Sequence, residues 1–404
     1  MPLIGRLLLL ATLILGFAST AHADVANAPG ADLEVALITY GPGDTYWERF
    51  GHDAIEIRDT VSGEAVNFNY GVFDFDESGF LLNFARGRMH YLMDAAHSED
   101  DEHYYVETGR SVTRQKLALN ANQAAALRDF LLWNLRPENA RYDYDYYVTN
   151  CSTKVRDALD KALGGVLKTQ LQARRGSMTY RQQTARLMSA QPWLMLILDL
   201  GLGPYADQPL SAWQESFLPM VLQRQLASIQ VSDGQGGTHP LATDEQVLSP
   251  NRLDTPPDAA PDLRLPLGLA GLAFAMLLVL LSRIAPTMHA LLATLYLVLA
   301  GIVGVLLLAL WLFTTHHSAW ANANLLMFNP LAWLLIAAVW RARRHRSPTR
   351  LADTALMLQL FMMLAAVAMH LMHGIVQQNQ PWLLFALPCW LAMAFTCRKN
   401  SRAA

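Results

Sequence analysis

Cys151 is the one cysteine outside the last apolar segment of the chain, and its neighbours suit nucleophilic chemistry. The aromatic run Tyr142-Asp143-Tyr144-Asp145-Tyr146-Tyr147 leads into it. A helix-forming stretch, Thr153 to Leu163, leads out and is stopped by Gly164-Gly165. Thr149 or Asn150 can cap that helix, because a short polar side chain satisfies the free N–H groups of a first turn. Cys151 then sits in that turn, where those N–H groups and the helix dipole favour a thiolate over a thiol. A thiol nucleophile needs a base. Phe50-Gly51-His52-Asp53 offers His52, at the head of the alternating stretch Ala54 to Arg58. His90, His97, His103 and His239 lie in polar, loop-like surroundings and read as solvated surface. The competing reading of Cys151 is a buried, inert thiol. No CxxC or HExxH spacing occurs, so a metal centre is not expected.

The elements that must hold these residues follow from composition. Residues 1–23 carry Arg6, the apolar run Leu7 to Phe17, and Ala21-His22-Ala23, the pattern of a secretory signal peptide. An exported domain with one cysteine cannot pair it internally, and a free thiol in an oxidising compartment is a liability unless it has work to do. The chain is 52% hydrophobic with 16% charged residues and a net charge of -3, averages that hide two halves. Residues 24–230 read as one soluble domain. Its first half is β: Val35 to Ile38 is a short buried strand, and Ala54 to Arg58 with Ala65 to Tyr70 form a hairpin around Ser62-Gly63. Asn120 to Leu135 and Trp213 to Ile229, the latter interrupted at Pro219, read as helices. Pro192 to Leu198 is apolar but too short to span a bilayer, and reads as a core helix. Residues 231–264, with their glycines and prolines, read as an extended linker.

Residues 265–397 carry apolar runs of membrane length, about five of them: 265–282, 288–313, 321–340, 354–374 and 381–397. Arg283, the cluster Arg341 to Arg350, and Arg398, Lys399 and Arg402 fall at alternate ends of these runs. Basic residues stay inside, so the soluble domain is expected outside and the tail 398–404 in the cytoplasm. No basic stripe is present, which excludes nucleic acid as a partner.

In combination these residues resemble a known family. Papain-like thiol enzymes of the NlpC type set a cysteine at a helix start against a histidine on a sheet. Histidine before cysteine resembles the permuted branch that includes lecithin:retinol acyltransferase. Phe50-Gly51-His52, Asn69-Tyr70-Gly71-Val72-Phe73-Asp74-Phe75, Phe84-Ala85-Arg86-Gly87 and Asn150-Cys151-Ser152-Thr153 look like motifs of the Lnb family of lipoprotein N-acyltransferases. Trp213 to Pro219 looks like a further block. Thr315-His316-His317 and Asn322-Ala323-Asn324-Leu325-Leu326 resemble one at an external loop, with His317 where the family more often has proline.

The resemblance implies an α+β, permuted papain-like domain in the periplasm, followed by an α-helical domain of about five spans in the inner membrane. It implies a phospholipid acyl donor, a diacylated lipoprotein acceptor and no cofactor. Cys151 would attack the donor ester and His52 would take the proton. Asn69 would orient His52, with Asn67 and Glu56 as alternatives. Arg86, His316, Asn322 and Asn324 would meet headgroups, and His370 and His373 read as interfacial. A cell-wall peptidase or amidase of the same fold is the rival enzyme, and a membrane adaptor with no catalysis the rival of another class. Five spans argue against the first, and an intact Cys151 and His52 against the second.

Overall fold

The computed structural model describes residues 24–73, 79–233, 235–371 and 377–399. The signal peptide, Asp74, Phe75, Gly234, His373 and residues 400–404 lie outside them. The described chain divides into two compact units. The first runs to Tyr180 and includes Pro209–Asp258, and the second joins Arg181–Gln208 to the chain from Ala259 onward.

The first unit is built on an antiparallel sheet. Its strands are β1 (Leu33–Tyr40), β2 (His52–Asp59), β3 (Ala65–Phe73), β4 (Met89–His97), β5 (Val112–Leu117) and β6 (Arg141–Tyr144), with a short hairpin, β7 (Gln230–Ser232) and β8 (Thr238–Pro240), and then β9 (Ala242–Ser249). Seven strands lie in the order β6-β4-β3-β2-β1-β5-β9, and the hairpin stands apart. Alternation assigns two faces. Leu37, Ile55 and Ile57 face the main core, which Leu127 and Leu131 of helix α3 (Ala121–Asn134) and Val155 and Leu159 of helix α4 (Cys151–Ala162) complete. Ala36, Ile38, Tyr40 and Ala54 point the other way, onto Tyr105 and Val106 of helix α2 (Ser98–Glu107). Helix α1 (Phe80–Arg86) follows β3.

The expected linker 231–264 is largely folded. β9 pairs with β5 and closes one edge of the sheet. Its sequence hides this, because the side chains of an edge strand stay mostly exposed and show no apolar face. Residues 250–263 lack helix and strand.

The expected single domain 24–230 also needs correction. Helix α5 (Pro192–Gly201) lies within the second unit, among the membrane-length helices. The reason is polar. Arg181 is buried and donates to Asp199 Oδ1 (3.0 Å), to both carboxylate oxygens of Asp207 (2.7 and 3.0 Å) and to the carbonyl of Leu202 (2.9 Å). Asn322 Nδ2 donates to the carbonyls of Leu200 and Gly201 (both 2.9 Å), and Asn324 Nδ2 to that of Leu200 (2.8 Å). Gln377 Nε2 takes the carbonyl of Leu202 (2.9 Å). The last carbonyls of a helix have no partner of their own, and here side chains of the second unit supply one.

Five segments have membrane length and hydropathy: Arg264–Ile284, Pro286–Phe313, His317–Arg343, Arg350–Leu371 and Gln380–Arg398. The third is broken. It passes through 3-10 turns at His317–Ala319, Ala323–Leu326 and Pro330–Leu335 before the helix Ile336–Arg343. Irregular backbone at membrane depth must have its polar groups satisfied within the protein. Gln359 Nε2 donates to the carbonyl of Leu326 (3.0 Å), Trp390 Nε1 to that of Met327 (2.9 Å) and Asn329 Nδ2 to that of Leu325 (3.3 Å). Gly304 of the second segment permits the approach, since a Cβ there would come within 2.3 Å of the Asn329 backbone.

Candidate active site

The start of α4 is fixed before the chemistry begins. Of the two possible caps it is Asn150 that acts: its Oδ1 accepts from Thr153 N–H (2.9 Å), and Thr153 Oγ1 accepts from Asn150 N–H (2.7 Å). Asn150 Nδ2 also donates to the carbonyl of Phe217 (2.8 Å), and Ser152 Oγ reaches that of Ser216 (3.0 Å). The Trp213 to Pro219 block thus anchors the turn that carries Cys151.

The sheet opens to receive the thiol. The β2–β3 ladder stops at Ala54–Asn69, and β3 shifts register against β4 between Tyr70 and Val72. Gly71 lies between them at φ +97°, a conformation that favours glycine. Asp53 lies beyond the end of the ladder, and its backbone N–H, like that of Ser152, is near enough to the Cys151 sulfur to favour the ionised form. A Cβ built on Gly71 would lie 3.7 Å from Cys151 Cβ. The thiol comes from the layer of α4, yet it is seated against the residue next to His52.

His52 stacks in a column of rings on the other face, 5.9 Å from Tyr40 and 6.0 Å from Tyr105. Its Nε2 lies 2.9 Å from Asn69 Oδ1, and Asn69 Nδ2 donates to Asp101 Oδ2 (2.6 Å). This fixes the tautomer. An ionised carboxylate only accepts, so Asn69 turns its amide N–H₂ to Asp101 and its oxygen to His52. Nε2 must then carry the proton, which leaves Nδ1 with its lone pair. The alternatives to Asn69 are engaged elsewhere. Asn67 bonds Tyr40 Oη (3.0 Å) and Ser98 Oγ (2.7 Å), and Glu56 pairs with Arg114 (2.7 Å).

The expected thiolate is overturned. Cys151 keeps part of its surface open, but burial pushes its thiol up to about 12, with Asp53 adding to the rise and the two N–H donors too weak to reverse it. Burial also presses His52 down to about 4, against the opposing pull of Asn69. Both groups are thus held toward their neutral forms, thiol and imidazole. Asp53 is wholly buried and pushed up to about 7, burial being the main cause. It meets Thr39 Oγ1 (2.9 Å) and Ser152 Oγ (2.8 Å). Ser152 has one hydroxyl proton for two oxygens, Asp53 Oδ2 and the Ser216 carbonyl. A protonated Asp53 supplies the missing one.

Of the expected site residues the structure joins His52 to Asn69 and adds Asp101, while Cys151 lies against Asp53, the residue next to His52 in the chain. No sequence signal marked Asp101, which sits in the acidic run Glu99 to Glu102 at the start of α2. Arg86 is exposed at the end of α1. In the second unit, Asn322 and Asn324 are 2% and 0% exposed, with their amides on the carbonyls of α5, so the role their geometry assigns is capping. His316 is half-buried in the connection before the third span, and His370 Nε2 lies 2.9 Å from Asn379 Oδ1. Among the described residues no group of three His, Cys, Asp or Glu is placed to hold a metal ion.

Comparison with known families gives two matches. The family described as Lnb N-terminal periplasmic domain matches residues 20–188, and that described as Lnb transmembrane domain matches residues 265–402. No curated protein and no solved structure matches the chain. The two matches cover most of the chain in the order of its two halves, so the chain belongs to the Lnb family, as a multi-pass inner-membrane protein of lipoprotein processing with its N-terminal domain in the periplasm.

Proposed function

We propose that the protein moves an acyl chain from a phospholipid to the N-terminal amine of diacylated lipoproteins, through a thioester on Cys151. The observation that carries this reading is the seating of the Cys151 sulfur near Asp53 N–H, one residue along the chain from a His52 whose Nε2 is held by Asn69, so that Nδ1 keeps its lone pair. The sulfur adds to the ester carbonyl as its proton passes to Nδ1. The tetrahedral adduct collapses, the C–O bond breaks, and the lysophospholipid oxygen takes the proton from His52. The lipoprotein amine then attacks the thioester, giving its proton to His52. The sulfur leaves and is reprotonated.

Splitting the transfer suits both substrates. An α-amine is largely protonated at neutral pH and needs a base, and a thioester is a better electrophile toward it than an oxygen ester. Two lipid substrates also give the five spans a purpose beyond anchoring. On this reading the connections rich in arginine, and the C-terminus, face the cytoplasm.

Full-length protein incubated with phospholipid alone should gain one fatty acyl group on Cys151, removable by neutral hydroxylamine. A diacylated lipopeptide should discharge it, with the acyl group appearing on the peptide amine. Triacylated product formed at the normal rate with no adduct by quenched intact mass would mean direct transfer. Discharge only to water, as free fatty acid, would mean a hydrolase.

A further inference from the structure

We propose that the phenol of Tyr142 is a catalytic residue, donating a hydrogen bond to the oxyanion that forms when the Cys151 sulfur adds to an acyl carbonyl. This rests on the acyl-transfer reading and names the group that stabilises its transition state.

The position above Gly71 carries the argument. Among the described residues, its own chain neighbours aside, a Cβ there would meet Cys151 Cβ at 3.7 Å and Tyr142 Oη at 3.9 Å, both at ordinary contact distance. The thiol carbon and the phenol oxygen thus border one small space, left by a glycine at the bulge of β3. The Tyr142 oxygen is buried and has no hydrogen-bond partner among the described residues. Leaving a buried hydroxyl unpaired costs roughly 1–3 kcal/mol, and a folded protein tolerates that where a ligand will complete the bond.

Its neighbours do not share this condition. Tyr70 Oη, whose ring meets that of Tyr142 edge to face at 6.1 Å, donates to Asn134 Oδ1 (2.9 Å). Tyr40 Oη accepts from Asn67 (3.0 Å). The Tyr142 ring is held by its place on β6, opposite Tyr91 of β4, and by the Lys154 ammonium 4.8 Å from its centroid. Burial raises its pKa well above the ordinary phenol value, so it stays protonated and a donor at any working pH.

In the step itself, the S–C bond forms, the thiol proton goes to His52 Nδ1, and the carbonyl π pair moves onto oxygen. The Tyr142 O–H donates to that oxygen, together with the N–H of Cys151, which has no carbonyl to bond within its own helix. On collapse the pair returns and the ester C–O bond breaks. A donor aimed at developing charge in a dry site accelerates more than it would in water.

The test is Tyr142→Phe in the full chain, read by two reactions of the same thiol. Acylation of Cys151 is followed by quenched intact mass, with phospholipid and separately with p-nitrophenyl butyrate as donor. Alkylation by iodoacetamide is followed beside it, because displacement at a saturated carbon makes no oxyanion. Acylation should slow by roughly 100- to 1,000-fold while alkylation stays within about twofold. Unchanged acylation overturns the proposal. An equal fall in both reactions also overturns it, since the ring would then merely hold the thiol in place. Wild-type protein acylated by the p-nitrophenyl ester but not by phospholipid defeats the proposed function and leaves this test intact. Wild-type protein acylated by neither defeats both.

Discussion

Two regions of the molecule bury clusters of polar groups, and they treat them differently. Around the end of α5, in the membrane unit, the donors have partners. Arg181 binds two carboxylates and backbone carbonyls, Asn322, Asn324 and Gln377 hold the carbonyls of residues 200–202, and Trp382 Nε1 donates to Asp199 Oδ2 (2.8 Å). Around Cys151, in the other unit, Tyr142 Oη and Arg110 Nη2 are buried without a partner. Each region contains asparagine, a guanidinium and carboxylates, so residue type does not separate them. Completion does. A satisfied network fixes one structure, whereas an unfinished one keeps donors in reserve for something that arrives later. The membrane unit also holds exceptions among the described residues: His370 Nδ1 at the edge of this network, and His289 Nε2 and Tyr296 Oη away from it.

The largest contrast should come from removing the reacting groups. Cys151→Ala and His52→Ala should each abolish acylation while the protein accumulates in the membrane at normal level. The double variant should be no worse than either, because the two groups act as one unit. A residual rate in His52→Ala close to wild type would assign the base elsewhere and break the contrast at its centre.

Arg181→Met should do the reverse. It leaves Asp199 and Asp207 buried without their cation, a change that typically costs about 3–5 kcal/mol. The thermal midpoint in detergent should drop sharply, while the folded fraction alkylates at the wild-type rate. Loss of acylation at an unchanged midpoint would show that this network is functional after all.

Asn69→Ala comes next. It removes the acceptor that fixes the tautomer of His52 and orphans the Nε2 proton, so acylation should fall about ten- to a hundredfold. The pH profile adds a sign. With His52 depressed to about 4, the base is lost only as pH falls through about 4. A limb near 6.5 would mean a solvated imidazole and a site more open than this one.

These residues were unequally legible. Cys151 and His52 declared themselves through the cap motif and through the strand that follows a glycine. Asn69 was named, with Asn67 and Glu56 as alternatives, because the hairpin puts it on the strand beside His52 and the family resemblance calls for a residue that orients the histidine. Asp101 did not, because four consecutive acids at a helix start look like partners of the helix dipole. Tyr142 was one tyrosine among four in six residues, and only a count of partners distinguishes it. β9 was hidden because edge strands are held by backbone bonds that leave no apolar pattern. α5 was apolar enough to be recognised as a helix, but its unit was set by distant asparagines. The thiolate was misjudged for a physical reason: capping can be read from neighbours in sequence, and burial cannot.

The smallest effect tests the part of the site that is complete. Asp53 has partners on both carboxyl oxygens and touches the chain beside the sulfur. Its ionised form raises the Cys151 thiol, so the thiol ionises more readily with Asp53 neutral. Its folded value of about 7 stands above the ordinary carboxylate value of 3.8. Between those two pH values the unfolded chain has released this proton and the folded chain has not. Stability contributed here therefore declines as pH rises toward about 7, and the deficit stays constant above it. Asp53→Asn keeps an oxygen for Thr39 and an N–H for Ser152 but cannot ionise. At pH 5 the variant and the wild type should alkylate alike. At pH 9 the variant should react faster by a factor on the order of ten, the effect of one unit in the thiol value, and should melt higher. Iodoacetamide rates and thermal midpoints measured across pH 5–9 check both signs. A ratio that stays flat across that range would mean that Asp53 does not change charge, and that the hydroxyls of Thr39 and Ser152 hold it ionised throughout.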